Sequence, residues 1–125
     1  MNHYLATLFV AADRPFELAA IEVNKMFGSG HLSEIDKFDE VPAYAANIDN
    51  VEVVMHGIPK DATDEEIGNE PTYLIEISFE SDSHSSIPSW LSDETIAPPL
   101  RSNGYFDLSD VLGKRIGEST DLRIV

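Results

Sequence analysis

The sequence predicts a single-domain α+β fold, an antiparallel sheet with two main helices. Three observations carry that expectation. Tyr73, Ile75, Ile77 and Phe79 alternate with Leu74, Glu76 and Ser78, the two-residue period of a strand with one apolar and one wetter face. Phe16, Ala19, Ala20, Val23, Met26 and Phe27 recur at helical spacing instead. With 125 residues and no cysteine, the chain is long enough to bury a core without disulfides.

Taken in order, Tyr4 to Ala11 reads as a strand, continuously apolar apart from Thr7. Pro15 suits the first turn of a helix and Glu17 its positive dipole end, so a helix is expected over residues 15–27, stopped by Gly28 and Gly30. Ser33 to Asp36 is expected to open a short helical turn and Ala43 to Ile48 to form another. Val51 to Met55 alternates as a second strand, ended by Gly57 and Pro59. Thr63 with Glu66 three residues on is a capping box, opening a very short helix that stops near Gly68.

The Tyr73–Phe79 strand follows. Residues 81–104 have no periodicity, only serines and Pro88, Pro98 and Pro99, so no long element is expected there. Asp107 or Ser109 caps a last helix with Leu108, Val111, Leu112 and Ile116 inward, Lys114 and Arg115 in its final turn and Gly117 as its stop. Leu122 to Val125 makes a terminal strand. The order strand, helix, strand, strand, helix, strand is that of a ferredoxin-like βαββαβ sheet of four strands, although the connections at 28–50, 57–71 and 81–106 are long for it, and another small α+β sandwich remains the alternative.

Charge is the second organising fact. The net charge is −15, and 16 of the 23 acidic residues but only two of the eight basic ones lie between Glu34 and Glu94. Phosphate backbones and anionic membranes repel such a chain, whereas basic proteins are drawn to it. Solubility or adaptation to high salt is the other reading of the same charge. The start Met1-Asn2-His3-Tyr4 has no basic lead, and the apolar run after it soon meets Asp13 and Arg14, too short for a signal peptide or a membrane span, so a cytoplasmic location is expected.

Catalytic and cofactor patterns are weak. Gly28-Ser29-Gly30 follows a helix, where glycines terminate, and is not placed before one as a phosphate loop requires. Asp36, Asp39 and Glu40 lack the spacing and central glycine of a calcium loop. The four histidines form no pair at metal-ligand spacing. His56, Asp82 and His84 could meet if their strands are neighbours, and Glu76 with Glu80 could form a carboxylate pair. Neither has a visible pocket, so no catalytic residue, metal or cofactor is expected.

What remains is an acidic interaction surface. Glu52, Val54 and His56 of one strand and Leu74, Glu76, Ser78 and Glu80 of the next would share an open sheet face, with acidic loops at its rim. The residues expected to bind a partner are Asp36, Asp39, Glu40, Glu52, Asp61, Asp64, Glu65, Glu66, Glu76, Glu80 and Trp90, the last either an interface anchor or a plug of its own loop.

In size, charge, lack of cysteine and acidic clusters such as Asp36-Lys37-Phe38-Asp39-Glu40 and Asp61-Ala62-Thr63-Asp64-Glu65-Glu66, the chain resembles the small immunity proteins of bacterial contact-dependent and related toxin systems. That resemblance is one of physical class. It implies a one-to-one complex with a basic nuclease toxin domain, inhibited by covering its active site or nucleic-acid cleft, and no catalysis. The alternatives are a small regulatory or assembly subunit, and a hydrolase-like enzyme using the His/Asp/Glu cluster.

Overall fold

The computed structural model describes residues 1–27, 31–36, 38, 40–94 and 96–125. Six strands make one sheet: β1 (Asn2–Ala11), β2 (Ser33–Ile35), β3 (Ala43–Ile48), β4 (Val51–His56), β5 (Thr72–Ser81) and β6 (Phe106–Asp107). Their spatial order is β2-β3-β4-β5-β1-β6. Neighbours run antiparallel except β6, which lies parallel to β1. The spine is the β1–β5 pair, in register from Asn2 opposite Ser81 to Ala11 opposite Thr72.

Helix α1 (Phe16–Asn24) follows β1, the one-turn α2 (Asp64–Ile67) joins β4 to β5, and α3 (Ser109–Ser119) follows β6. One core cluster unites Tyr4, Ala6 and Val10 of β1, Val51, Val53 and Met55 of β4 and Tyr73, Ile75, Ile77 and Phe79 of β5 with Ala19, Ala20 and Val23 of α1 and Leu112 and Ile116 of α3. All these strand residues share one side of the pleat, so both long helices cover the same face. Tyr73 fixes the entry to α1 by donating its hydroxyl to the Arg14 carbonyl at 2.7 Å.

The short capped helix forms at the Thr63 signal: Thr63 Oγ1 accepts from the Glu66 N–H at 3.2 Å, and Gly68 at φ +76° ends the turn. At the start of α3, Asp107 Oδ1 accepts from the Ser109 N–H at 2.9 Å. The Ser109 hydroxyl also accepts from the Thr7 N–H of β1 at 3.1 Å, which ties the helix start to the sheet.

Several sequence expectations are corrected. Residues 33–35 and 43–48 are strands where helical turns were expected, so the sheet has six strands instead of four. The alanines of β3 favour helix intrinsically, but Asp49 and Asn50, at φ 54° and 66°, form a tight two-residue turn that folds β3 onto β4. Helix α3 runs through Gly117 to Ser119. The terminal residues meet β1 only at the bridge of Val10 with Ile124, backed by bonds from the Ala11 N–H to the Arg123 carbonyl and from the Val125 N–H to the Phe9 carbonyl. Among the described residues the 81–104 stretch holds no long element beyond the end of β5, only a 3₁₀ turn at His84–Ser86, as its lack of periodicity suggested.

Candidate interaction face

Among the described residues no helix covers the second face of the sheet. Strand register assigns its rows. Ala43, His56, Leu74 and Phe9 line up across β3, β4, β5 and β1; so do Ala45, Val54, Glu76 and Thr7; so do Asn47, Glu52, Ser78 and Leu5. The sharing of one face by Glu52, Val54 and His56 with Leu74, Glu76, Ser78 and Glu80 follows from this pairing, as the two-residue period required. The rows also bring in Leu5, Thr7 and Phe9 of β1, which sequence reasoning did not assign because β1 is apolar on both sides.

Two hollows cross this face. One of about 390 Å³ is lined by Leu5, Thr7, Glu52, Val54, His56 and Glu76 among others. The second, of about 350 Å³, continues over Ile35, Ala45 and Asn47. They meet at Phe38, Glu52 and Val54, so together they form a trough across the strands. Phe38 comes from the β2–β3 loop and lies against His56, ring centroids 4.9 Å apart. Its partner loop leaves the same end of the sheet: the Lys60 N–H donates to the Glu40 carbonyl at 2.7 Å and the Gly57 N–H to the Pro42 carbonyl at 2.8 Å. The exposed Asp36 and Glu40 thereby stand at the same end as the exposed Asp61, Asp64, Glu65 and Glu66. Asp39 lies outside the described residues.

The electrostatics of the face are one-sided. None of the six strands contains a lysine or arginine. Among the described residues its carboxylates pair with histidines, Glu76 Oε1 at 3.4 Å from His56 Nε2 and Glu80 Oε1 at 3.6 Å from His3 Nδ1. Four of the cations are paired with other acids. Arg14 binds Asp121 at 2.6 Å and Asp13 at 3.0 Å, and hydrogen bonds to Asp13 and then Asp121 push the guanidinium pKa up. Arg101 binds Asp107, Lys114 lies near Glu118, and Arg115 binds Asp93. Asp107 is held below the usual carboxylate range, first by hydrogen bonding from the Ser109 side chain and then by its N–H and by Arg101.

Other candidate residues are not brought together. His56 pairs in register with Leu74, whereas Asp82 follows the opposite end of β5, eight residues away, about 26 Å along a strand. His84 is engaged elsewhere, its Nδ1 hydrogen-bonded at 2.7 Å to the hydroxyl of the buried Tyr4 and its ring edge-on to Phe106. Glu76 and Glu80 share a face but stand four residues apart, about 13 Å, too far for one proton-transfer site. No group of three or more His, Cys, Asp or Glu among the described residues could hold a metal ion.

Trp90 does not reach the open face. It is 8% exposed and edge-on to Phe27 at 5.0 Å, so it plugs its loop onto the core. Its indole N–H is buried and finds no acceptor among the described residues. The residue that pins this loop, Arg115, was expected only to complement the helix end; it donates to the carbonyls of Ser89 at 3.2 Å and Leu91 at 3.4 Å.

The architecture defines a small acidic α+β domain with one sheet face that no helix covers among the described residues and whose strands contain no lysine or arginine. Among the described residues no helix is long and apolar enough to cross a membrane. Comparison of the chain with family models, with curated proteins and with solved structures returns no match.

Proposed function

We propose that this protein is an acidic binding module that neutralises a basic partner, and that the partner is a nuclease toxin domain held one-to-one with its active site or nucleic-acid cleft blocked. One observation carries the reading: an uncovered sheet face with an apolar floor and glutamates, but no lysine or arginine in any strand. An apolar centre supplies affinity, and surrounding carboxylates supply speed and selectivity toward a surface built to hold phosphates. The module performs no catalysis itself and acts in the cytoplasm. We read its topology as an extended split βαβ sheet: the tail, β1, β5 and β4 follow the ferredoxin-like strand order, and β3 and β2 widen it.

The test is capture of the tagged protein from its native lysate at low salt. The expected result is one basic protein in near-equal amount that degrades nucleic acid only after separation. Recovery of no stoichiometric basic protein, or of one without nuclease activity when freed, would overturn the proposal.

A further inference from the structure

We infer that the trough receives an extended segment of the basic partner and seats one arginine of that segment between Glu52 and Glu76. This rests on the binding-module reading and specifies how the partner is held. The trough crosses from β1 to β2, five strands and about 19 Å, the length of about six extended residues. Its floor is apolar, formed by Leu5, Val54, Ala45 and Ile35, and suits apolar side chains on either side of a cation.

Glu52 stands opposite Ser78 and Glu76 opposite Val54, so the two glutamates are diagonal neighbours on adjacent strands, about 7–8 Å apart at the backbone. Side chains of that length converge readily on a single cation. Glu52 has no ion pair among the described residues, and Glu76 has only His56.

The chemistry favours arginine over lysine. A guanidinium forks onto carboxylates and lies against an aromatic ring, and it gives up its hydration more readily than an ammonium does. Phe38 supplies the ring beside the glutamates. Charge excludes the other occupants: a second copy of this chain would bring −15 against −15, and nucleic acid or an anionic membrane would be repelled as strongly. The acids then divide their work. Glu52 and Glu76 set how long the partner stays, while Asp61, Asp64, Glu65 and Glu66 speed its arrival.

The full isotope-labelled chain should be titrated with acetyl-Leu-Val-Arg-Val-Leu-amide and with the same peptide carrying neutral citrulline, followed by amide NMR shifts. The expected shifts fall on β1, β4, β5 and Phe38. Affinity should drop about tenfold with citrulline, and again about tenfold in the Glu52→Gln/Glu76→Gln chain, the effect of losing one charge-assisted contact. Neutralising Asp61, Asp64, Glu65 and Glu66 together should leave it nearly unchanged. Absence of shifts at millimolar peptide, shifts on the α2 loop instead, or equal binding of citrulline would overturn the inference. A captured nuclease that binds the Glu52→Gln/Glu76→Gln chain as tightly as the parent would also overturn it, while leaving the neutralising role intact.

Discussion

Replacing Arg115 by alanine should loosen the 88–94 loop and destabilise the whole domain. Arg115 donates to the Ser89 and Leu91 carbonyls, on either side of Trp90, and pairs with Asp93 at 3.1 Å. Bonds from a charged donor are worth about 1.5–3 kcal/mol each in good geometry, but at 3.2 and 3.4 Å these are long, so about 1 kcal/mol each is the better figure. The Asp93 side chain is 77% exposed, and such a pair adds close to nothing. The total is about 2 kcal/mol. For 125 residues, unfolding entropy of about 2.1 cal/mol/K per residue converts this to a fall in Tm of about 8 °C.

Urea unfolding followed by fluorescence of the sole tryptophan and by far-UV circular dichroism would measure it. Arg115→Lys should recover no more than half, because a single ammonium cannot fork between two carbonyls. If Arg115→Ala stays within about 0.5 kcal/mol of the parent by both probes, the strap assigned to this side chain is wrong.

Three further outcomes are expected. Gly57→Ala would place a Cβ 2.8 Å from Pro42 Cγ and 3.1 Å from Phe16 Cδ2, and overpacking of this kind should cost about 1–3 kcal/mol in urea unfolding. Asn50, at φ 66°, should accept glycine with a gain of a few tenths of a kcal/mol or no change, whereas Asn50→Val should lose about 1–2 kcal/mol, read as the shift in thermal midpoint. The depressed pKa of Asp107 means that its ionised form stabilises the native state fully above its unfolded value of about 3.9 and that this contribution fades as pH falls through the lower native value. The stability gap between the parent and Asp107→Asn, measured by urea titration, should therefore be constant from pH 5 to 7 and shrink below about pH 3.5.

Legibility followed the strength of local periodicity. The β4 and β5 faces could be read because a two-residue period with Glu52, Glu76 and Glu80 on one side fixes which side is wet. Helix α1 and the Thr63 cap were equally local signals. Strand β3 was not readable as a strand, since Ala43-Tyr44-Ala45-Ala46-Asn47-Ile48 takes its conformation from pairing with β4, and only Asp49-Asn50 hinted at the turn. Strand β6 has two residues and exists through a parallel contact with β1 a hundred positions earlier. The same non-locality hid the trough. Phe38 is an ordinary loop phenylalanine in sequence, and only the β2–β3 connection carries it over His56. It also dissolved the His56–Asp82–His84 grouping, for spacing along the chain could not tell which end of β5 each residue would occupy.

The placement of the lysines has a practical consequence for anyone handling the protein. Lys25 follows α1 and Lys114 sits on α3, both exposed and both on the helical side, while none of the six strands contains a lysine. Dyes, biotin or a sensor surface coupled at Lys25 or Lys114 alone, with Lys37, Lys60 and the N-terminal amine replaced or blocked, would attach on the helical side and present the trough outward. The same scarcity leaves no tryptic site from Ala62 to Leu100, so β5 would emerge from digestion inside one long acidic peptide, cut only after Lys60 and Arg101.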